Sequence, residues 1–343
     1  MKKIKIGIIG AGTWGETHAR IFKEDLNTEL TAICDLQEEK ALSLAKSVCL
    51  PQACVYTNHE DMLQHAALDA VAIVTPDFAH YHLAMDCIKA KKHIILEKPL
   101  TTNGAEAKHI VQAVKENNVR LMVDLHSRWS PLFALTKEAI EADEIGEVQH
   151  AYLRLNDIKY VATDLLPWAE KSSILWFLGY HAVDLLRWLF NDEVERVYSV
   201  SRKGVLNAEG VNTDDVFQSI LEFKKGGIAT LENAWITPNS HPNINDIKLN
   251  ITGSKGMLNV DPTNSRVIEK FTEHSYEQPD YLVRHSVHGK YKGFAYESIR
   301  HFIDQLVSGE DFYVTVEDAY HTTIVVQTLL ESAKTRTPIV VEY

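Results

Sequence analysis

The sequence predicts two domains. A doubly wound, mostly parallel α/β sheet covers residues 1–123, and an α+β domain on an antiparallel sheet covers 124–343. Three observations carry this expectation. The first 123 residues alternate short apolar strands with helical stretches, the pattern of a parallel sheet covered on both faces. After Asp124, strand-like runs follow one another without intervening helices, joined by glycine-bearing turns. A chain of 343 residues also exceeds what one ordinary core holds.

The first strand, Ile4 to Ile9, runs directly into Gly10-Ala11-Gly12-Thr13-Trp14-Gly15, and a helical stretch follows to about Lys23. In that setting each glycine has a purpose: a tight turn, close approach of backbone to a diphosphate, and close helix–strand packing. The unpaired amides at the helix start suit the diphosphate itself. The second strand, Glu29 to Cys34, ends in Asp35, 20 residues after Gly15, where a carboxylate accepts the ribose hydroxyls of NAD. Leu36 follows, and Glu38 and Glu39 add negative charge that would repel the 2′-phosphate of NADP. Asp35 also reads as an N-cap of the next helix, a compatible role.

Further strands are expected at Ala53–Tyr56, Asp69–Val74, His93–Leu96 and Arg120–Val123. Asn58 caps one intervening helix, Phe78 to Ala90 forms another, and Thr101 or Thr102 caps a third over Ala105–Glu116. The carboxyl edge of this sheet then holds Gly10, Asp35, Thr75, Glu97 and Asp124, so Lys98 lies on the cofactor side. Pro99 restrains the backbone of Lys98.

In the second domain, helices are expected over Pro131–Ala142, Phe177–Leu189, Phe294–Val307 and Val316–Lys334. Strands are expected over Val148–Asn156, Val194–Val200, Asp215–Phe223, Ile228–Ala234, Asp246–Thr252, Met257–Val260 and Arg266–Lys270. Lys224-Lys225-Gly226-Gly227 and Gly253-Ser254-Lys255-Gly256 are hairpin turns. Trp168, Trp176 and Tyr180 suit either stacking on sugar C–H faces or plain core packing. Asn156, Asp157 and Asp164 could bind hydroxyls or serve in turns. His285 and His288 have a spacing open to a metal, but no third ligand lies nearby in sequence, and no metal is expected.

Hydrophobic residues make up 45% and charged residues 24%, as in globular proteins. The net charge of −12 argues against nucleic acid or an anionic membrane as partner. No apolar run nears the roughly 20 residues of a membrane span, and no signal peptide is expected ahead of the first strand. Cys34, Cys49, Cys54 and Cys87 read as thiols of a reducing cytoplasm.

The N-terminal GxGxxG, Glu97-Lys98-Pro99-Leu100 after the fifth strand and Gly179-Tyr180-His181 with Asp184 together resemble the glucose–fructose oxidoreductase, inositol dehydrogenase and rhizopine-catabolism (Gfo/Idh/MocA) family over the whole chain. The resemblance implies a Rossmann domain followed by a domain with a large, open, mostly antiparallel sheet, through which a homodimer or homotetramer forms. It implies an NAD-dependent dehydrogenase acting on a secondary alcohol of a polyhydroxylated small molecule: a sugar, cyclitol or sugar derivative. Two alternatives stay open: an NAD-retaining glycosidase acting by transient oxidation and elimination, and a non-catalytic sugar or nucleotide sensor. By the same resemblance Lys98 and His181 are catalytic, Thr75, Pro76 and His80 pass the nicotinamide, and Arg128 lies near the substrate. Inositol dehydrogenase-like members carry an aspartate four residues before the histidine; here that position is Phe177.

Overall fold

The computed structural model describes residues 3–263 and 267–343. Two compact units emerge: 1–129 with 282–320, and 130–281 with 321–343. The sequence reading placed everything from 124 onward in one C-terminal domain, whereas residues 282–320 return to the first unit.

The first unit begins β1 (Ile4–Ile9), α1 (Thr13–Glu24), β2 (Thr28–Cys34), α2 (Glu38–Ser47), β3 (Val55–Tyr56) and α3 (His59–His65). It continues β4 (Ala70–Ile73), α4 (His80–Lys89), β5 (His93–Leu96), α5 (Gly104–Asn117) and β6 (Leu121–Val123). The six strands form one parallel sheet in the order β3-β2-β1-β4-β5-β6, the doubly wound Rossmann arrangement expected from the alternation. Ile6, Ile8, Ala70 to Ile73 and Ile94 to Leu96 are inaccessible to solvent. These continuous apolar runs follow from helices covering both sheet faces.

Asn58 caps α3 as expected, its Oδ1 accepting from the Glu60 amide at 2.7 Å. For α5 the cap is Asn103, not Thr101 or Thr102: its extended backbone lets Oδ1 accept from Ala105 and Glu106. The Thr101 hydroxyl instead donates to Glu106 at 2.6 Å. Asp77–Ala79 forms a 3-10 turn, so the helix expected from Phe78 starts as an α-helix only at His80. Cys34 and Cys87 are buried free thiols, and burial pushes Cys34 up to about 12.

The second unit contains α6 (Pro131–Glu141), β7 (Val148–Asp157), α7 (Tyr180–Phe190), β8 (Val194–Arg202), α8 (Val205–Ala208), β9 (Val216–Phe223) and β10 (Ile228–Ala234). There follow β11 (Asn245–Gly253), β12 (Met257–Val260) and the two-stranded ribbon β13 (Lys270–Phe271) and β14 (Tyr276–Glu277). The strand expected over Arg266–Lys270 falls partly on residues 264–266, outside the described residues, and Lys270 opens β13. The chain then adds the hairpin β15 (His285–Val287) and β16 (Lys290–Lys292) and α9 (Phe294–Ser308) to the first unit. It ends with α10 (Val316–Thr335) and β17 (Ile339–Val340).

The larger sheet runs β12-β11-β7-β10-β9-β8-β17. It is antiparallel except for the β7–β10 pair. Gly226, at φ +97°, makes the β9–β10 hairpin turn. Leu153, Leu221, Leu231 and Leu249 point to its covered face and are fully buried, while Tyr198, Val200, Ile220 and Ile228 are more than a third exposed on the other. The covered face receives α7. Among the described residues, no helix is long and apolar enough to cross a membrane.

Candidate functional site

The glycines of the loop between β1 and α1 serve two different ends. Gly10 sits at φ +108°, and a Cβ there would lie 2.1 Å from the Val74 carbonyl oxygen. Gly12 has an ordinary φ of −79°, and a Cβ there would meet nothing within 4 Å. The fold therefore needs Gly10, while Gly12 keeps open space beside the loop. No side chain caps α1, which leaves its first turn suited to an anion.

Asp35 ends β2 and ties this loop down. Its Oδ2 accepts from the Ala11 amide and its Oδ1 from the Gln37 amide, each at 2.8 Å. The carboxylate makes a turn ahead of α2 but does not cap it, since Gln37 is the cap residue. Each oxygen retains a lone pair for a ribose hydroxyl.

The third wall is the Thr75-Pro76 segment after β4. His80 is fully buried, with Nδ1 2.6 Å from the Pro99 oxygen and Nε2 2.9 Å from the Thr75 oxygen. The imidazole thus fills the space between this segment and the Lys98-Pro99 turn, whose peptide bond is cis, and its one N–H in the neutral form donates to one of the two carbonyls. Burial holds its pKa below the ordinary histidine value, against the pull of the two carbonyls. His80 acts here as a brace, and Thr75 Oγ1 is buried without a hydrogen-bond partner among the described residues.

Glu97 and Asp124 continue the neighbouring strands β5 and β6, which pair Leu96 with Val123. The Glu97 amide donates to Ile73 and that of Asp124 to Leu96, so the two carboxyls come side by side at the sheet's carboxyl edge. His18, on the buried face of α1, places Nε2 3.4 Å from Glu97 Oε1 and 3.7 Å from Asp124 Oδ2. Burial favours the neutral acid at Glu97, but the His18 hydrogen bond and the charges of His18, His126 and Lys98 outweigh it and hold the pKa low. Burial and the Glu97 charge push Asp124 far above the ordinary carboxyl range. Burial lowers His126 to about 4.

Lys98 is half-buried beside this group. Trp14 stacks on His126 at 5.2 Å, and the Arg284 guanidinium lies 4.7 Å from the centre of its indole ring. Arg284 also donates to Thr17 at 3.0 Å. His18, His126 and Arg284 were missed from sequence. His18 alone left a trace, as a polar residue on the apolar stripe of α1 with Gly15, Ala19 and Phe22. Arg128 is buried in this unit, its Nη1 3.3 Å from the Tyr313 oxygen and 3.5 Å from Asp318 Oδ2.

In the second unit, a π-helical turn over Leu175–Gly179 leads into α7, replacing the regular helix expected from Phe177. Such turns gather at functional sites. His181 is 5% exposed in the first turn of α7, with the fully buried Asp184 three residues on. Tyr180 is core, its hydroxyl 3.1 Å from Thr323 Oγ1. Trp176 is buried near it, while Trp168 is half-buried with its ring edge to Phe177 at 6.3 Å. Asn156 is engaged within the sheet: Nδ2 donates to Glu232 and Oδ1 accepts from the Ala234 amide, both at 2.7 Å.

Residues 4–125 match the oxidoreductase family with an NAD-binding Rossmann fold, and residues 133–259 match the GFO/IDH/MocA C-terminal domain. The chain belongs to the GFO/IDH/MocA oxidoreductase family. It is 26% identical over 316 residues to a myo-inositol 2-dehydrogenase of Thermotoga maritima, covering 92% of each chain. It is 30% identical over 238 residues to an oxidoreductase, P35, of Formosa agariphila, covering 65% of this chain and 70% of that one. A solved myo-inositol 2-dehydrogenase from Lactobacillus plantarum shares the fold at a TM-score of 0.86 and 20% identity, covering 99% of this chain and 100% of that one.

The cofactor of this oxidoreductase is NAD, and the residues present fit it. Gly12 leaves room for the diphosphate, Asp35 can accept from the ribose, and the orphaned Thr75 hydroxyl lies on the same edge.

Proposed function

We propose that this oxidoreductase transfers hydride between NAD and a secondary alcohol of a sugar, cyclitol or sugar derivative. The observation that carries the reading is the carboxyl edge of the first sheet. There a nucleotide loop kept open at Gly12 shares its border with a half-buried lysine that directly follows a buried acid. The relatives named as inositol dehydrogenases support a polyol as substrate.

Bound NAD supplies the hydride acceptor. Lys98 hydrogen-bonds the reacting hydroxyl and steadies the negative charge that develops on oxygen. In the second unit, His181 is the candidate proton acceptor by the family resemblance, since an imidazole accepts readily near neutrality. Asp184, on the same helix face, is the acid available to orient that ring in place of Phe177. Of Trp168, Trp176 and Tyr180, Trp168 is the one not buried and so the best placed to meet a sugar face. The open face of the larger sheet, bearing Tyr198, Val200, Ile220 and Ile228, is the surface we assign to a homodimer or homotetramer. The free thiols suit a reducing cytoplasm.

A panel of polyols, sugars and glycosides with NAD or NADP tests this, read by the absorbance of reduced nicotinamide. Turnover of a polyol or sugar with NAD is expected. Cleavage of a glycoside with no net reduced cofactor would replace the reading by transient oxidation and elimination. Binding of sugars without any turnover would replace it by a sensor.

A further inference from the structure

The first unit buries an acid–imidazole–acid group that hydride transfer does not by itself require. Three separate elements assemble it: α1 brings His18, the end of β5 brings Glu97 and the end of β6 brings Asp124. His18 and Asp124 are wholly inaccessible and Glu97 is 6% exposed. Asp124 Oδ1 accepts from Ser298 of α9 at 2.6 Å. Its Oδ2 and His18 Nδ1 have no hydrogen-bond partner among the described residues. Two carboxylates facing one imidazole nitrogen in a sealed space cannot both carry charge, because burial and mutual repulsion both favour leaving a proton on one. The two acids are not equivalent. Glu97 faces the His18 nitrogen more closely and is followed by Lys98, whereas Asp124 lies farther from that nitrogen and its side-chain hydrogen bond comes from the neutral Ser298 hydroxyl. The titratable and charged groups around the cluster are His18, Glu97, Lys98, Asp124, His126 and Arg284.

We propose that His18, Glu97 and Asp124 act as one proton-holding cluster, with the proton resident on Asp124 and the negative charge on Glu97, that sets the charge state of Lys98. These three are positioning residues: a single negative charge faces the lysine, where two would hold it permanently as ammonium. The inference rests on Lys98 being the reacting lysine of the proposed function.

Two readouts independent of turnover test it in the full-length protein. Infrared spectroscopy of the native protein at neutral pH is expected to show the carbonyl band of a protonated, buried carboxyl. Asp124→Asn removes that band and Glu97→Gln keeps it; should Asp124→Asn fail to fold, Ser298→Ala shifts the band by removing its hydrogen bond. The pH dependence of Lys98 acylation by acetic anhydride, followed by peptide mass, gives the second. Its midpoint falls by on the order of one pH unit in Glu97→Gln, which loses the neighbouring charge. It stays in place in Asp124→Asn, which exchanges one neutral group for another.

No protonated-carboxyl band, a band lost in Glu97→Gln, or equal midpoint shifts in the two variants would overturn the cluster. So would a stoichiometric divalent cation in the purified protein, since the three side chains offer ligand atoms within 4.8 Å of one another. The two proposals fail separately. Turnover without the band discards the cluster alone, and the band with the Lys98 shift but no turnover discards the hydride-transfer reading alone.

Discussion

In the parallel sheet of the first unit, β4 is buried along its whole length; in the mixed sheet of the second, β9 and β10 alternate buried and exposed positions. The central strands β4 and β5 have almost no solvent face on which to place polar groups, and acids and bases collect where β5 and β6 stop: Glu97, Lys98 and Asp124 follow them directly. The mixed sheet spreads its polar residues over an open face, where they pair with each other, as Glu232 does with Tyr152, Asn156 and Gln218. Its buried functional candidates, His181 and Asp184, come instead from a helix laid on the covered face. Titratable candidates gather at an edge in one unit and on a buried helix in the other.

The sharpest test of the edge is Lys98→Ala. On the proposed role of Lys98 in steadying the reacting oxygen, its loss is expected to lower kcat by about 10²–10⁴-fold, with NADH binding retained. Undiminished turnover would remove the edge from the chemistry.

The glycines of the same edge separate fold from ligand. Gly10→Ala forces a positive φ and a clash with the Val74 carbonyl, and should cost on the order of 3 kcal/mol in a denaturant titration. Gly12→Ala meets no protein atom and should unfold like the native protein while weakening NADH fluorescence binding severalfold or more. Equal losses of stability would show that the loop is simply structural.

In the mixed sheet the two faces should respond unequally. Leu231→Ala, on the covered face, is expected to cost about 2–5 kcal/mol. Ile220→Lys, on the open face, should leave chain stability within about 0.5 kcal/mol and lower the mass seen by light scattering. An unchanged mass would overturn the proposed subunit contact on this face.

Acid should reach the two units in different windows. Burial lowers His126 to about 4, so its contribution is present above the ordinary histidine value and is lost as pH falls from about 6.5 towards 4. Glu193 is also held low: burial opposes its charge, but hydrogen bonds from His321 and Arg187 outweigh that. Its contribution persists to the ordinary carboxyl range and is lost only below it. Hydrogen exchange should therefore report β6 loosening before α7, and His126→Asn should flatten the first window by about 1–3 kcal/mol. Coincident loosening would mean that neither group governs its own unit.

How much of this was legible in the chain depends on how local the cause is. Gly10 to Gly15, Asp35 and the Glu97-Lys98 step were readable because strand, turn and helix start are contiguous, and a parallel sheet puts all strand ends on one edge. The hairpin at Gly226 was readable because a positive φ selects glycine. The α5 cap was misplaced because Thr101, Thr102 and Asn103 are all good capping residues, and only backbone direction and the competing Glu106 bond chose among them. The return of residues 282–320 to the first unit was invisible, since nothing in their composition says which sheet they will cover.

The sequence alone thus determined the order of strands and helices in the parallel sheet, the nucleotide loop and the lysine after β5, each a matter of nearest-neighbour backbone chemistry. Only the tertiary structure decided that His18 reaches Glu97 and Asp124, that Asn156 faces Glu232, and that Tyr180 is core. Those side chains meet across separations of many tens of residues. There, solvent exclusion and packing set the partner, and no local pattern records it.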